Sequence, residues 1–122
     1  MIEIPIKTAL GLNAREHHWQ QRARRTRKER EATAWVLRSA ARPQIPCTVL
    51  LTRVGPSPGM DDDNLPGAMK AVRDEVARWL GVDDRSPQVR YRYAQQRAPK
   101  WAVRIEFGPP ASGAQYVLGV AA

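Results

Sequence analysis

Residues 45–82 decide the fold, and they fall into four blocks: Ile45-Pro46-Cys47-Thr48-Val49-Leu50-Leu51-Thr52-Arg53-Val54, then Gly55-Pro56-Ser57-Pro58-Gly59, then Met60-Asp61-Asp62-Asp63-Asn64, then Leu65 through Leu80 with Gly81-Val82 behind it. The first block predicts a strand over 45–54, with Val49 and Leu51 on one face and Leu50 on the other. So continuous an apolar run suits a central position in a sheet. The second block is turn-rich. The fourth predicts a helix over 65–80, because Leu65, Met69, Val72, Val76 and Leu80 recur at three- to four-residue intervals and form one apolar stripe. Asn64 or Asp63 is the expected cap, Pro66 fits the first turn, and Gly81 stands where a helix stops.

Outward from this centre, 1–7 alternate apolar and polar and predict a short strand, with Pro5 favouring an edge. A connector through Gly11 and Asn13 leads to a long expected helix over 14–41, free of Gly and Pro and closed by Arg42-Pro43. Its second half offers Ala34, Trp35, Leu37 and Ala41 for packing. Residues 88–96 and 101–107 predict two more strands joined by a basic turn. This order predicts a small α/β (α+β) domain: a mixed sheet of about four strands with two main helices. One domain is expected over 1–107, followed by a flexible or arm-like tail over 108–122. At 122 residues the chain has length for one core, and 43% apolar with 26% charged residues suits a globular domain. No stretch approaches the roughly 20 apolar residues of a membrane span. The first residues lack the basic-then-apolar pattern of a signal peptide. A soluble, cytoplasmic chain without a membrane partner is expected. Cys47, the one cysteine, excludes an internal disulfide and a cysteine-rich zinc site.

Twenty Lys and Arg against twelve Asp and Glu give a net charge of +8, which favours a polyanionic partner. Arginine supplies most of the excess, and its planar fork suits phosphate oxygens. The candidate phosphate contacts are Arg15, Arg22, Arg24, Arg25, Arg27, Lys28 and Arg30 on the first helix, with Arg73 on the second. His17 and His18 beside Trp19 are expected as surface and packing groups. The four tryptophans (19, 35, 79 and 101) are assigned to the core or a dimer interface. The charge is not evenly spread. Residues 61–84 hold seven acids and three bases, a balance of −4, which leaves +12 on the rest. Carboxylates repel phosphates, so an acidic centre in a basic protein fits a divalent cation held between the two.

In an extended segment Asp61 and Asp63 point the same way and can converge on one cation. Asp83 and Asp84 follow the second helix, at the far end of roughly 24 Å of helix. The two pairs meet only if the chain doubles back after Gly81 or if a second subunit joins them. Either pair is also an ordinary cap or turn. A calcium-loop reading fails, since Leu65 and Pro66 occupy positions that need a ligand and a glycine.

Asp61-x-Asp63-Asn64-Leu65, a helix carrying Lys70, then Gly81-Val82-Asp83-Asp84 and a strand, resembles the RusA family of Holliday junction resolvases, particularly its phage-type members. Leu12-Asn13-x-Arg15, leading through Arg22 into a basic helix, is similar to the same relatives. The resemblance covers 2–107. It implies a RusA-like fold and a homodimeric, Mg²⁺-dependent (or Mn²⁺-dependent) endonuclease that cuts four-way DNA junctions. The family's motif aspartates fall on Asp61 and Asp63, and its third acid on Asp84 with Asp83 beside it. The implied chemistry is metal-assisted phosphodiester hydrolysis, with these carboxylates holding the metal. The family's lysine position is Gly67 here. Lys70, one turn further along, is the assigned stand-in, with Arg73 or an impaired enzyme as alternatives. The rival readings are a non-catalytic branched-DNA-binding module, a less selective flap or fork nuclease, and an interaction protein with an acidic partner.

Overall fold

In the computed structural model, the described residues are 1–8, 19–83 and 85–110. They form β1 (Ile2–Ile4), α1 (Trp19–Leu37), β2 (Cys47–Gly55), α2 (Leu65–Ala68), α3 (Lys70–Leu80), β3 (Val89–Arg97) and β4 (Ala102–Gly108). The strands make one mixed sheet in the order β1-β4-β2-β3. The fold is thus the expected small α+β domain, with the apolar β2 inside the sheet and β1 at an edge. β2 and β3 are parallel, from Cys47 opposite Val89 to Gly55 opposite Arg97. Parallel neighbours need a crossover, and α2–α3 supply it. β4 runs antiparallel to both β2 and β1.

Alternation along the strands assigns the faces. Cys47, Val49 and Leu51 of β2 join Val89, Val103, Ile105 and Ile4 in one cluster with Leu65, Met69, Val72 and Val76 of α2–α3 and Leu37 of α1. Val49, Leu51, Met69, Val72, Val76, Val103, Ile105 and Ile4 are fully inaccessible. Burying one side chain of this size contributes about 1.5–3 kcal/mol. The helices' large buried apolar side chains, Leu37, Leu65, Val72 and Val76, belong to this cluster, and the other sheet face is left to Thr48, Leu50, Thr52 and Val54. On that face Arg104 donates to Glu3 (3.1 Å) and to Gln96 (2.6 Å), lacing β1 and β3 across β4 and β2.

Several expectations change. The stripe from Leu65 to Leu80 is carried by two helices, because Met69 leaves the helical region at φ −99°, ψ 4°. Pro66 and Gly67 leave α2 little intrinsic helical preference. Hydrogen bonds from Met69 N to Leu65 O and from Arg73 N to Met69 O still run through the junction. No side chain caps α2 at Asn64. Gly81 is left-handed (φ 77°), and Val82 N to Ala77 O with Gly81 N to Arg78 O completes a Schellman stop, as the glycine predicted. Trp35 does not pack: it is 70% exposed, with Arg38 5.2 Å from its ring. The buried stripe of α1 is Glu29, Thr33 and Leu37 at four-residue spacing, and residue 35 lies on the opposite side. Trp19 is also exposed, whereas Trp79 stacks near Phe107 at 5.8 Å. Residues 9–18, with Arg15, His17 and His18, and the tail over 111–122 lie outside the described residues.

Candidate metal and nucleic-acid site

The acidic turn begins where β2 ends. Gly59 takes φ +107°, a conformation that favours glycine, and a Cβ there would lie 3.0 Å from Gln95 Oε1. That closeness serves the next residue. Met60 N donates to Gln95 Oε1 (2.8 Å), and Gln95 Nε2 donates back to Met60 O (2.7 Å). A β3 side chain therefore clamps the backbone immediately before Asp61. Asn64 N then donates to Asp61 O (2.9 Å) and Leu65 N to Asp62 O (3.3 Å). The segment is a hydrogen-bonded turn and not the extended run used to align Asp61 with Asp63, so period-two alternation does not apply to it. Asp61, Asp62 and Asp63 are all exposed.

Asp83 stands at the other end of the crossover. Its Oδ1 accepts from Arg85 N (2.8 Å), and its carbonyl accepts from Ser86 N (2.9 Å), which closes the turn into β3. Gln88, next along, has its carbonyl bonded to Cys47 N at the amino end of β2. Asp61 and Asp63 instead follow the carboxyl end of β2. Among the described residues no three His, Cys, Asp or Glu side chains gather closely enough to hold a metal ion. Asp84, the expected third acid, lies outside the described residues. The donor chemistry of Asp61 and Asp63 fits Mg²⁺, which binds hard oxygens, keeps several waters and commonly takes only one or two carboxylates beside substrate phosphates.

Lys70 Nζ bonds Asp74 Oδ2 at 2.8 Å, one turn further from the acidic turn, with its side chain 58% exposed. An exposed pair at this spacing is worth about 0.3–0.5 kcal/mol, a weak restraint on a four-carbon stem. Arg73 packs against β3 instead: its Nη1 donates to Tyr93 OH (3.3 Å), and its guanidinium lies 5.9 Å from the Tyr91 ring.

No protein-family model, curated protein or solved structure matches this chain. The site therefore stands on its own residues. Of the basic groups on α1, Arg22, Arg24, Arg27 and Lys28 are exposed, and Arg25 is partly covered. Arg30 is drawn inward, its Nε 3.3 Å from Glu75 Oε1, a carboxylate whose side chain is 9% exposed. That pair pins α1 to α3. No helix among the described residues is long and apolar enough to cross a membrane.

Three features escaped the sequence reading. Gln95 reads as one polar residue in a strand, and its clamp exists only because β3 lies parallel to β2. Arg53, at the end of an apolar run, is only 5% exposed. Its Nε donates to Thr8 Oγ1 (3.0 Å), and its guanidinium lies 4.7 Å from the Trp101 ring. Burial lowers its pKa. The third is Gly55, where a Cβ would collide with the Trp101 ring, so the glycine is what admits the indole. An arginine interrupting a buried strand was the one available signal.

Proposed function

We propose that this chain is a Mg²⁺- or Mn²⁺-dependent endodeoxyribonuclease that cuts four-way DNA junctions as a homodimer, in the manner of the RusA family it resembles. The observation that carries the reading is the exposed Asp61–Asp63 turn, clamped by Gln95 at the carboxyl end of β2, in a chain whose remaining residues carry a large positive excess. Asp61 and Asp63 would hold the metal, joined by Asp84, the residue that follows Asp83 in the sequence. A second subunit would let the acids of one chain serve the turn of the other, and it would provide the two centres that symmetric cutting needs. The bound metal would supply an activated water and neutralise charge on the phosphate.

This chain's own residues do the rest. Exposed Arg22, Arg24, Arg27 and Lys28 bind backbone phosphates, and the Gln95 clamp keeps the carboxylates oriented. Lys70, released from Asp74, would meet the scissile phosphate. The proposed setting is the bacterial cytoplasm, with phage or prophage origin.

The test is cleavage of a labelled synthetic four-way junction in Mg²⁺ or Mn²⁺, beside linear duplex and Asp63→Asn. Paired symmetric nicks, absent from duplex and from the variant, are expected. Gly67 in place of the family lysine, with Lys70 held by Asp74, favours one second reading: a branched-DNA-binding module without cleavage. Metal-independent junction binding with no nick in either metal would establish that reading instead.

A further inference from the structure

We infer that the pocket between the carboxyl ends of β2 and β3 binds a phosphate group on Arg53 and Arg97. It is a cavity of about 110 Å³ lined by Arg53, Arg97, Ser57 and Gln96, with walls at Gly55 and Gly59. A volume of this size has room for one tetrahedral oxyanion. Among the described residues no Asp or Glu lines it. The register sets Gly55 beside Arg97 and Arg53 beside Gln95, so the two arginines reach this end from adjacent strands. Ligands in open α/β sheets occupy this position, beyond the carboxyl ends of parallel strands.

Arg53 is the reason the pocket calls for an anion. It is 95% buried, and its partners are a neutral hydroxyl and an indole face that Lys7 Nζ also approaches, at 5.0 Å. Among the described residues no carboxylate pairs with it, whereas Arg30 and Arg104 each have one. A guanidinium keeps its charge in proteins, and a buried charge without a counter-ion is costly. An oxyanion on its free nitrogens removes that cost. The hydroxyl of Ser57 and the second guanidinium can share the remaining oxygens. Gly59 is two residues before Asp61, so the bound phosphate neighbours the acidic turn. Only the source of that phosphate, a nucleic-acid backbone, rests on the function proposed above.

The test uses the full chain in EDTA, so neither metal nor cleavage enters it. Inorganic phosphate is titrated against chloride at fixed ionic strength, and the thermal midpoint is read. The wild type is expected to rise with phosphate beyond chloride. Arg53→Met should abolish the response. Arg97→Gln, at an exposed position that leaves the fold intact, should weaken it about tenfold, the worth of one charge-assisted hydrogen bond. No phosphate-specific rise in the wild type, or an Arg97→Gln response equal to the wild type, overturns the site. A second arm measures labelled duplex binding in EDTA. Competition by phosphate and weaker binding by Arg97→Gln identify a DNA backbone phosphate as the occupant. Unchanged duplex binding with phosphate binding retained identifies a free phosphate-bearing small molecule instead. Either result keeps the site, and neither depends on nuclease activity.

Discussion

Replacing Gln95 with leucine removes both hydrogen bonds to Met60 at little change in volume. The two bonds, at 2.8 and 2.7 Å, are neutral and partly buried. Each contributes about 1 kcal/mol net, so Gln95→Leu should cost about 2 kcal/mol, less whatever water restores at the rim. Because 1.4 kcal/mol is tenfold, the turn over 59–63 should open about 30-fold more often. Hydrogen exchange at the Met60 amide reads this directly, and urea unfolding reads the stability. Metal affinity should fall by up to the same factor, because a binding-competent turn that is less populated reduces apparent affinity in proportion.

Gln95→Glu separates the two bonds. Its carboxylate can accept from Met60 N but sets an oxygen against Met60 O. Protonation below its ordinary pKa of about 4.3 restores a donor. The clamp should therefore be recovered at acid pH and lost as pH rises through a folded-state pKa raised by the facing carbonyl. A Met60 amide as protected in Gln95→Leu as in the wild type, with the urea midpoint unmoved, would refute the clamp.

Gly55→Ala should destabilise the fold by about 1–3 kcal/mol, since the Trp101 ring must leave its seat on the glycine. A double-mutant cycle with Trp101→Ala checks this, the glycine substitution costing less than half as much once the ring is gone. Cys47 is 2% exposed, and burial raises its thiol from the ordinary 9.0. The unfolded thiol ionises first, so its contribution is complete below pH 9.0 and is lost as pH rises from there toward the folded value. Cys47→Ala should flatten that alkaline decline in urea unfolding. Neutralising exposed Arg22, Arg24, Arg27 and Lys28 together should reduce the salt dependence of duplex binding, each lost phosphate contact lowering the log–log slope by about 0.9. An unchanged slope would remove α1 from the interface.

The sequence by itself determined what depends on neighbours in the chain. The apolar run of β2 marked an interior strand, the spacing of Leu65, Met69, Val72 and Val76 marked a helical face, and Gly81 marked its stop. All three follow from periods of two and 3.6 residues and from a left-handed backbone that glycine favours. Charge pattern singled out Asp61 and Asp63 in the same way. Tertiary structure alone decided which strands pair. The parallel register of β2 and β3 joins Arg53 to Arg97 in one pocket, brings Gln95 to Met60, and leads Asp61 and Asp83 from opposite ends of the crossover. Trp35 went outward because the buried face of a nearly all-polar helix is chosen by what it meets, and here Glu29 meets the fold while an indole does not. Such choices are settled between residues dozens of positions apart, where no local period carries information and only packing and hydrogen-bond satisfaction select the partner.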